Sequence, residues 1–528
     1  MAVTAVSPTV KLDEGVFIGT TDGISTKFLG IPFAQPPVGN LRFQLPQTIP
    51  PYNATFSATS YGLSCAQQAI EVPIVTGLVA EAVDYIANTI FGVILPDSED
   101  CLTLNVIVPA SATPASKLPV VVWIFGGGFE LGGTSMYDGS VIVSRSIALG
   151  SPVIYVSMNY RLAGFGFLAS EEVKAAGVGN LGLQDQREAL RWVQKYIAQF
   201  GGDPTKVTIW GESAGAISAA LHMLADGGNT GGLFRAAFME SGAPIPVGDI
   251  AHGQKYYDSI VASTGCSGAA DTLACLRTVS YTSLKAAINQ TPSIFAYQSL
   301  NLAWIPRTDG VFLTDNPQNL VMQNKVANIP YITGNCDDEG TLFSLSTLNI
   351  TTDAQLITWI STVFLPGADL ASINNAATLY PADITQGSPF DTGILNAVTP
   401  QYKRIAAFQG DGVFQAPRRW LLQNTVPTNP NVWGFLSKRL KALPILGSLH
   451  ASDILDVYGG GEMGDYLIHF VNNLNPNSAA LLQWPQYTLQ SRQIMTFLDG
   501  LIPLAISADT YRQAAMNALT NLTLASPV

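Results

Sequence analysis

The pentapeptide Gly211-Glu212-Ser213-Ala214-Gly215 fits the pattern G-x-S-x-G, which raises a serine as a nucleophile on a tight turn. The chemistry explains the spacing. A serine hydroxyl exposed on a strained strand-to-helix turn leaves no room for side chains two residues to either side, so both positions must be Gly. Val207 to Trp210 is a short apolar run that reads as a buried strand, and Ala216 to Leu224 reads as a helix. Ser213 then stands at a helix N-terminus, where the N–H of Ala214 can face an oxyanion. A chain with 48 Gly produces such pentapeptides by chance, but chance does not supply the strand before and the helix after. A second donor group is required, and Gly126-Gly127-Gly128-Phe129 offers it directly after the apolar run Leu118 to Phe125. Successive Gly let the backbone approach a substrate closely and aim N–H groups at it.

Such a serine needs a base and an acid, here expected in the chain order Ser, Asp or Glu, His. The chain has 4 His. His222 lies on the helix that follows the serine and points away from the turn; His252 follows so soon that little room remains for an acid. His469 is set in the apolar run Tyr466 to Val471 and reads as a core histidine, which leaves His450, in the loop-like stretch Gly447 to Asp453, as the better base. Glu339, in Gly334-Asn-Cys-Asp-Asp-Glu-Gly340, follows a short strand at Pro330 to Thr333 and is placed for the acid at the carboxyl edge of a sheet. Asp337 and Asp338 compete with it, and spacing does not separate the three.

These residues must be positioned by something rigid. Leu118–Phe125 and Val153–Met158 are short, β-branched and bounded by Pro or Gly, as strands buried on both faces are. Leu190, Val193 and Ile197 form a helical stripe, and the strand signal returns at Val432 to Leu436. Strands alternating with helices predict an α/β protein built on a large, mostly parallel sheet flanked by helices. No linker or repeat cuts the chain, so one domain over residues 1–528 with inserted helical subdomains is expected.

Composition excludes several functions. The net charge of -12 opposes nucleic-acid binding, which requires a basic face. No run reaches the ~18 apolar residues of a membrane span. No CxxC or Cys/His cluster suggests a metal, so neither metal nor cofactor is expected. Sequons at Asn53, Asn289, Asn349 and Asn521 are candidate glycosylation sites and fit a secreted protein. Met1 opens no signal-peptide pattern, and the expectation is that such a peptide has been removed. Of the 5 Cys, Cys336 reads as a buried free thiol.

The motifs together resemble the type-B carboxylesterase/lipase family, which also holds the cholinesterases. Phe200-Gly-Gly-Asp203 followed by Val207-Thr-Ile-Trp-Gly-Glu-Ser213-Ala-Gly215 resembles its nucleophile signature. Glu99-Asp-Cys101-Leu-Thr-Leu-Asn105-Val resembles its second, and Phe28 to Ala34, Arg42-Phe43 and Asn159-Tyr-Arg161 match as well. The likeness is greatest to the fungal branch of Candida rugosa lipases and sterol esterases. It implies an α/β-hydrolase fold, Glu339 as acid, His450 as base, and oxyanion donors from Gly127, Gly128 and Ala214. It also implies disulfides Cys65–Cys101 and Cys266–Cys275, with Cys336 outside the pattern, and a secreted enzyme. Residues 66–100 correspond to that branch's lid, and Val75, Leu78, Val79, Val83, Ile86 and Ile90 fall at helical spacing within it. The expected substrate is therefore a lipid or other hydrophobic ester, met at a lipid–water interface by a monomer or weak homodimer. Phe129 and Phe343 are expected to line the acyl site. A feruloyl or broad-specificity carboxylesterase is the nearest alternative, and a non-catalytic adhesion module the alternative of another class.

Overall fold

A computed structural model describes residues 7–71 and 95–528. The expected lid helix falls in residues 72–94 and so lies outside the described residues.

Eleven strands form one sheet: β1 (Thr20–Thr21), β2 (Ser25–Pro32), β3 (Thr103–Pro109), β4 (Leu118–Ile124), β5 (Ile154–Met158), β6 (Gly202–Glu212), β7 (Ala236–Glu240), β8 (Tyr331–Cys336), β9 (Val432–Ser437), β10 (Gln493–Phe497) and β11 (Leu504–Ala508). Their order across the sheet is β11-β10-β9-β8-β7-β6-β4-β5-β3-β2-β1. From β10 to β5 every neighbour is parallel. Antiparallel pairs close both sides, β10 with β11 and β5 through β3 and β2 to β1. The central strands are apolar on both faces because helices cover both, as the sequence predicted. Helix α1 (Leu181–Tyr196) buries Leu190 and Val193, and Ile197 continues the stripe one turn on.

Strands β3, β7, β10 and β11 are additions to the sequence reading. Ala236–Glu240, Ala-Ala-Phe-Met-Glu, is rich in good helix formers, yet it is fully buried between β6 and β8. Tertiary pairing overrides its local preference. The β10–β11 hairpin is an edge whose outer strand is half-buried and carries little period-two signal. Helices inserted after β8 close a second small core around Ile350, Leu356, Trp359, Ile373, Phe408 and Leu519.

Several family-like motifs prove to be braces. Arg42 grips Glu99 at 2.6 Å from two nitrogens, and Arg161 grips the fully buried Asp185. Both implied disulfides are present, Cys65–Cys101 and Cys266–Cys275, and Cys336 is free and buried.

Candidate active site

Strand β6 ends at Glu212 and helix α2 (Ala214–His222) begins two residues later, so Ser213 alone makes the corner. Its φ of 54° and ψ of -124° lie outside the ordinary regions for a side-chain-bearing residue, strain typical of a functional turn. The turn closes only because its flanks lack side chains: a Cβ on Gly215 would overlap the Ile124 carbonyl at the end of β4. The Ser213 N–H donates to the Glu240 carbonyl at 2.9 Å, tying the corner to β7.

The neighbouring glycine loop leaves the end of β4. Gly127, Gly128 and Phe129 all take positive φ, at 111°, 64° and 61°. The Gly127 carbonyl accepts from Glu130 and Leu131, and the Phe129 carbonyl from Ala163 at 2.7 Å, which fixes the loop. Among the described residues none accepts a hydrogen bond from the N–H of Gly127, Gly128 or Ala214. Those donors are thus available to a ligand. Ile294 and Leu302 pack against Gly128, making the adjacent wall apolar. Phe129 turns its ring edge-on to Phe167 at 4.9 Å.

The expected base and acid arrive on the loops after β9 and β8. His450 Nε2 lies 2.7 Å from Ser213 Oγ, and His450 Nδ1 lies 2.5 Å from Glu339 Oε2. The second Glu339 oxygen accepts the Cys336 N–H at 2.8 Å. Serine, histidine and glutamate therefore form one continuous buried line. Such a line can take a proton from the serine and hold the resulting imidazolium. Phe414 and Phe343 flank the imidazole, with centroids at 4.5 and 5.3 Å. The competing acids are elsewhere: Asp337 and Asp338 both bind Lys441 Nζ. The other expected non-participants stay apart, with His222 hydrogen-bonded to Gln186 at 2.8 Å.

Sequence reasoning missed a set of buried carboxyls beneath the line. Glu212 Oε1 lies 3.3 Å from His450 Nε2, and Glu240 accepts from Trp210 Nε1 at 2.5 Å. Burial, reinforced by the charge of Asp453, pushes Glu212 and Glu240 well above the usual carboxylate range. Burial and the Glu339 charge raise Asp453 to about 7. Glu130, in the glycine loop, is raised by burial to about 8 while its Oε2 accepts from the Ile294 N–H at 2.8 Å. Glu212 occupies a variable position of the pentapeptide and Asp453 closes the stretch that carries His450, so only those two were visible from the motifs.

The sheet order and the strand–turn–helix corner define an α/β-hydrolase. Residues 6–505 match the model of the carboxylesterase family. Lipase 4 of Diutina rugosa is 46% identical over 98% of this chain and 96% of its own. The secreted triacylglycerol lipase LIP1 of Gibberella zeae is 39% identical over 97% of this chain and 91% of its own. The crystal structure of Aspergillus niger EstA superposes with a TM-score of 0.84 at 28% identity, covering 99% of both chains. This chain belongs to the carboxylesterase family, and it is a carboxylic ester hydrolase.

Proposed function

We propose that the enzyme is a secreted lipase, hydrolysing long-chain acyl esters of glycerol or sterols through an acyl-enzyme on Ser213. The observation that carries this reading is the unbroken Ser213–His450–Glu339 line, at 2.7 and 2.5 Å, beside free backbone donors. His450 Nε2 takes the Ser213 proton as Oγ attacks the ester carbonyl. Glu339, itself steadied by the Cys336 N–H, keeps the Nδ1 proton facing it and stabilises the imidazolium. The developing oxyanion is received by the N–H groups of Gly127, Gly128 and Ala214, each such donor contributing about 2.7–4 kcal/mol in measured cases. His450 then protonates the departing alcohol, and a water deprotonated by the same imidazole releases the acid.

Three observations support a lipid substrate. The relatives above are named lipases. The wall beside Gly128 is built from Ile294 and Leu302, and Phe343 and Phe414 enclose the imidazole. Secretion is supported by the relative named secreted, by two disulfides, and by the exposure of the sequons at Asn53, Asn349 and Asn521. Asn289 is half-buried and accepts the Ala69 N–H, which makes it the poorest acceptor of a glycan.

A fluorophosphonate probe tests the chemistry: it should label one serine, and Ser213→Ala should abolish labelling and lower hydrolysis by at least about 10⁴-fold. Labelling that persists in that variant overturns the assignment. Rates on triolein, tributyrin, cholesteryl oleate and methyl ferulate test the substrate class, and a preference for methyl ferulate overturns it.

A further inference from the structure

Asp338 stands beside the expected acid, is completely buried, and takes no part in the steps above. Its surroundings divide by oxygen. Oδ1 accepts from Ser388 Oγ at 3.0 Å and from the Phe390 N–H at 2.8 Å. Oδ2 accepts from the Ser448 N–H at 2.9 Å and from Lys441 Nζ at 2.7 Å. The Asp338 N–H in turn donates to the Ser448 carbonyl at 2.9 Å, and residues 338 and 449 pair as an isolated parallel bridge. Ser448 precedes His450 by two residues and Asp338 precedes Glu339 by one, so a single side chain joins the loop of the acid to the loop of the base. Thr341 Oγ1, donating to the Leu446 carbonyl at 2.8 Å, and Tyr402 OH, shared between the carbonyls of Thr341 and Ile445, continue the seam.

Asp337 differs although it is adjacent and also binds Lys441. It lines a cavity of about 690 Å³ with Lys438, Phe390 and Arg512, residues outside the His450 loop. Among the described residues Asp337 makes no hydrogen bond to residues 446–450, whereas Asp338 bonds Ser448 twice, through its side chain and through its N–H.

We propose that Asp338 is a positioning residue, whose side chain sets the distance and angle between His450 and Glu339 by clamping their two loops together. The proposal rests on the assignment of His450 and Glu339 as base and acid. A proton relay tolerates little displacement: a misplacement of about 1 Å can cost about 10²-fold in rate. Four donors converge on the carboxylate, and an amide cannot satisfy all four. In Asp338→Asn the carbonyl oxygen can serve one pair, which leaves an NH2 group facing the donors of the other.

Asp338→Asn should lower kcat by about tenfold or more with KM within about twofold, since the loss falls on the chemical step. The far-downfield proton signal of the His450–Glu339 hydrogen bond should shift or vanish in the same folded protein. Ser388→Ala, which removes one bond on the side away from the base, should leave both within about twofold of the parent. If Asp338→Asn does not fold, Lys441→Met, altered at a partly exposed residue that touches Oδ2, should move the signal and lower kcat. A folded Asp338→Asn with unchanged kcat and an unmoved signal overturns the proposal, as does a loss matched by Ser388→Ala. His450→Ala separates the two layers of the argument: if it keeps activity, the assignment of the base has failed. If it is dead while Asp338→Asn and Lys441→Met are unaffected, only the clamp has failed.

Discussion

The two halves of the site are built from different materials. Around Ser213 and the Gly127–Phe129 loop, position is set by excluded volume. Backbone passes so close to backbone that Gly215 has no space for a Cβ, and positive φ is held at four positions of two turns, Gly127, Gly128, Phe129 and Ser213. Around His450 and Glu339, position is set by directed hydrogen bonds to carboxylates, from Cys336, Ser448 and Lys441. The first half uses residues that have no side chain; the second depends on side chains that are charged, buried and fully engaged. A sterically built half should fail abruptly when any atom is added. A hydrogen-bonded half should fail in steps, according to which donor is lost.

The largest effect is therefore expected at Gly215. In Gly215→Ala the new methyl meets the Ile124 carbonyl, which belongs to the sheet and cannot yield as a flexible side chain would. Helix α2 must move away from β4 and carry Ala214 with it. Hydrolysis should fall by at least about 10²-fold, as expected when reacting groups are displaced by about 1 Å. Overpacking should cost about 1–3 kcal/mol, visible in thermal or denaturant unfolding. Full activity in a folded Gly215→Ala protein would remove the basis of the comparison.

The steric half also holds the carboxyls of Glu212 and Glu130, and Glu130 offers a smaller and pH-dependent test. Burial raises its pKa from 4.5 to about 8. Between those values the folded protein retains a proton that the unfolded chain has released, so stability falls as pH rises through this window. The slope approaches about 1.4 kcal/mol per pH unit from this one group. Glu130→Gln preserves an acceptor for the Ile294 N–H and has nothing to ionise. Its unfolding midpoint should match the parent near pH 4 and rise relative to it towards pH 8. A constant difference across that range would mean that Glu130 is ionised in the folded protein.

The same contrast explains what could be read from the sequence. Ser213, the glycine loop and the parallel sheet were legible because steric rules act over a few residues and leave fixed spacings, as in Gly211, Ser213 and Gly215. His450 could be chosen among four histidines by chain order and local pattern. Glu339 could not be separated from Asp337 and Asp338, because all three are acids on one loop and differ only in what faces them from distant segments. Ser388, Lys441 and Ser448 are 50, 103 and 110 residues away from Asp338. Resemblance to a family supplied that choice. Strand β7 was hidden for the related reason that its burial is decided by β6 and β8, not by its own Ala-rich composition. Glu240 was hidden with it.

The smallest expected effect sharpens the comparison from the other side. Cys336 lies within the hydrogen-bonded half and touches the acid, but its contact is made by the backbone: the N–H donates to Glu339, and the carbonyl accepts from Gln415 Nε2 at 2.7 Å. The thiol points into a fully buried space, 3.3 Å from Ser452 Oγ and 3.9 Å from Ser241 Oγ. Burial, with the charges of Asp453 and Glu339 nearby, pushes the thiol well above its ordinary pKa, so no reactive thiolate forms in the folded protein. Cys336→Ser should keep kcat within about twofold, because the donor to Glu339 is unchanged. The new hydroxyl finds Ser452 or Ser241 as partner, so the stability change should stay within about 1 kcal/mol. Alkylating reagents should leave the native parent unmodified and react once it unfolds. A tenfold loss of kcat in Cys336→Ser would instead assign the thiol a part in holding Glu339, making this half depend on side chains at every point where it touches the acid.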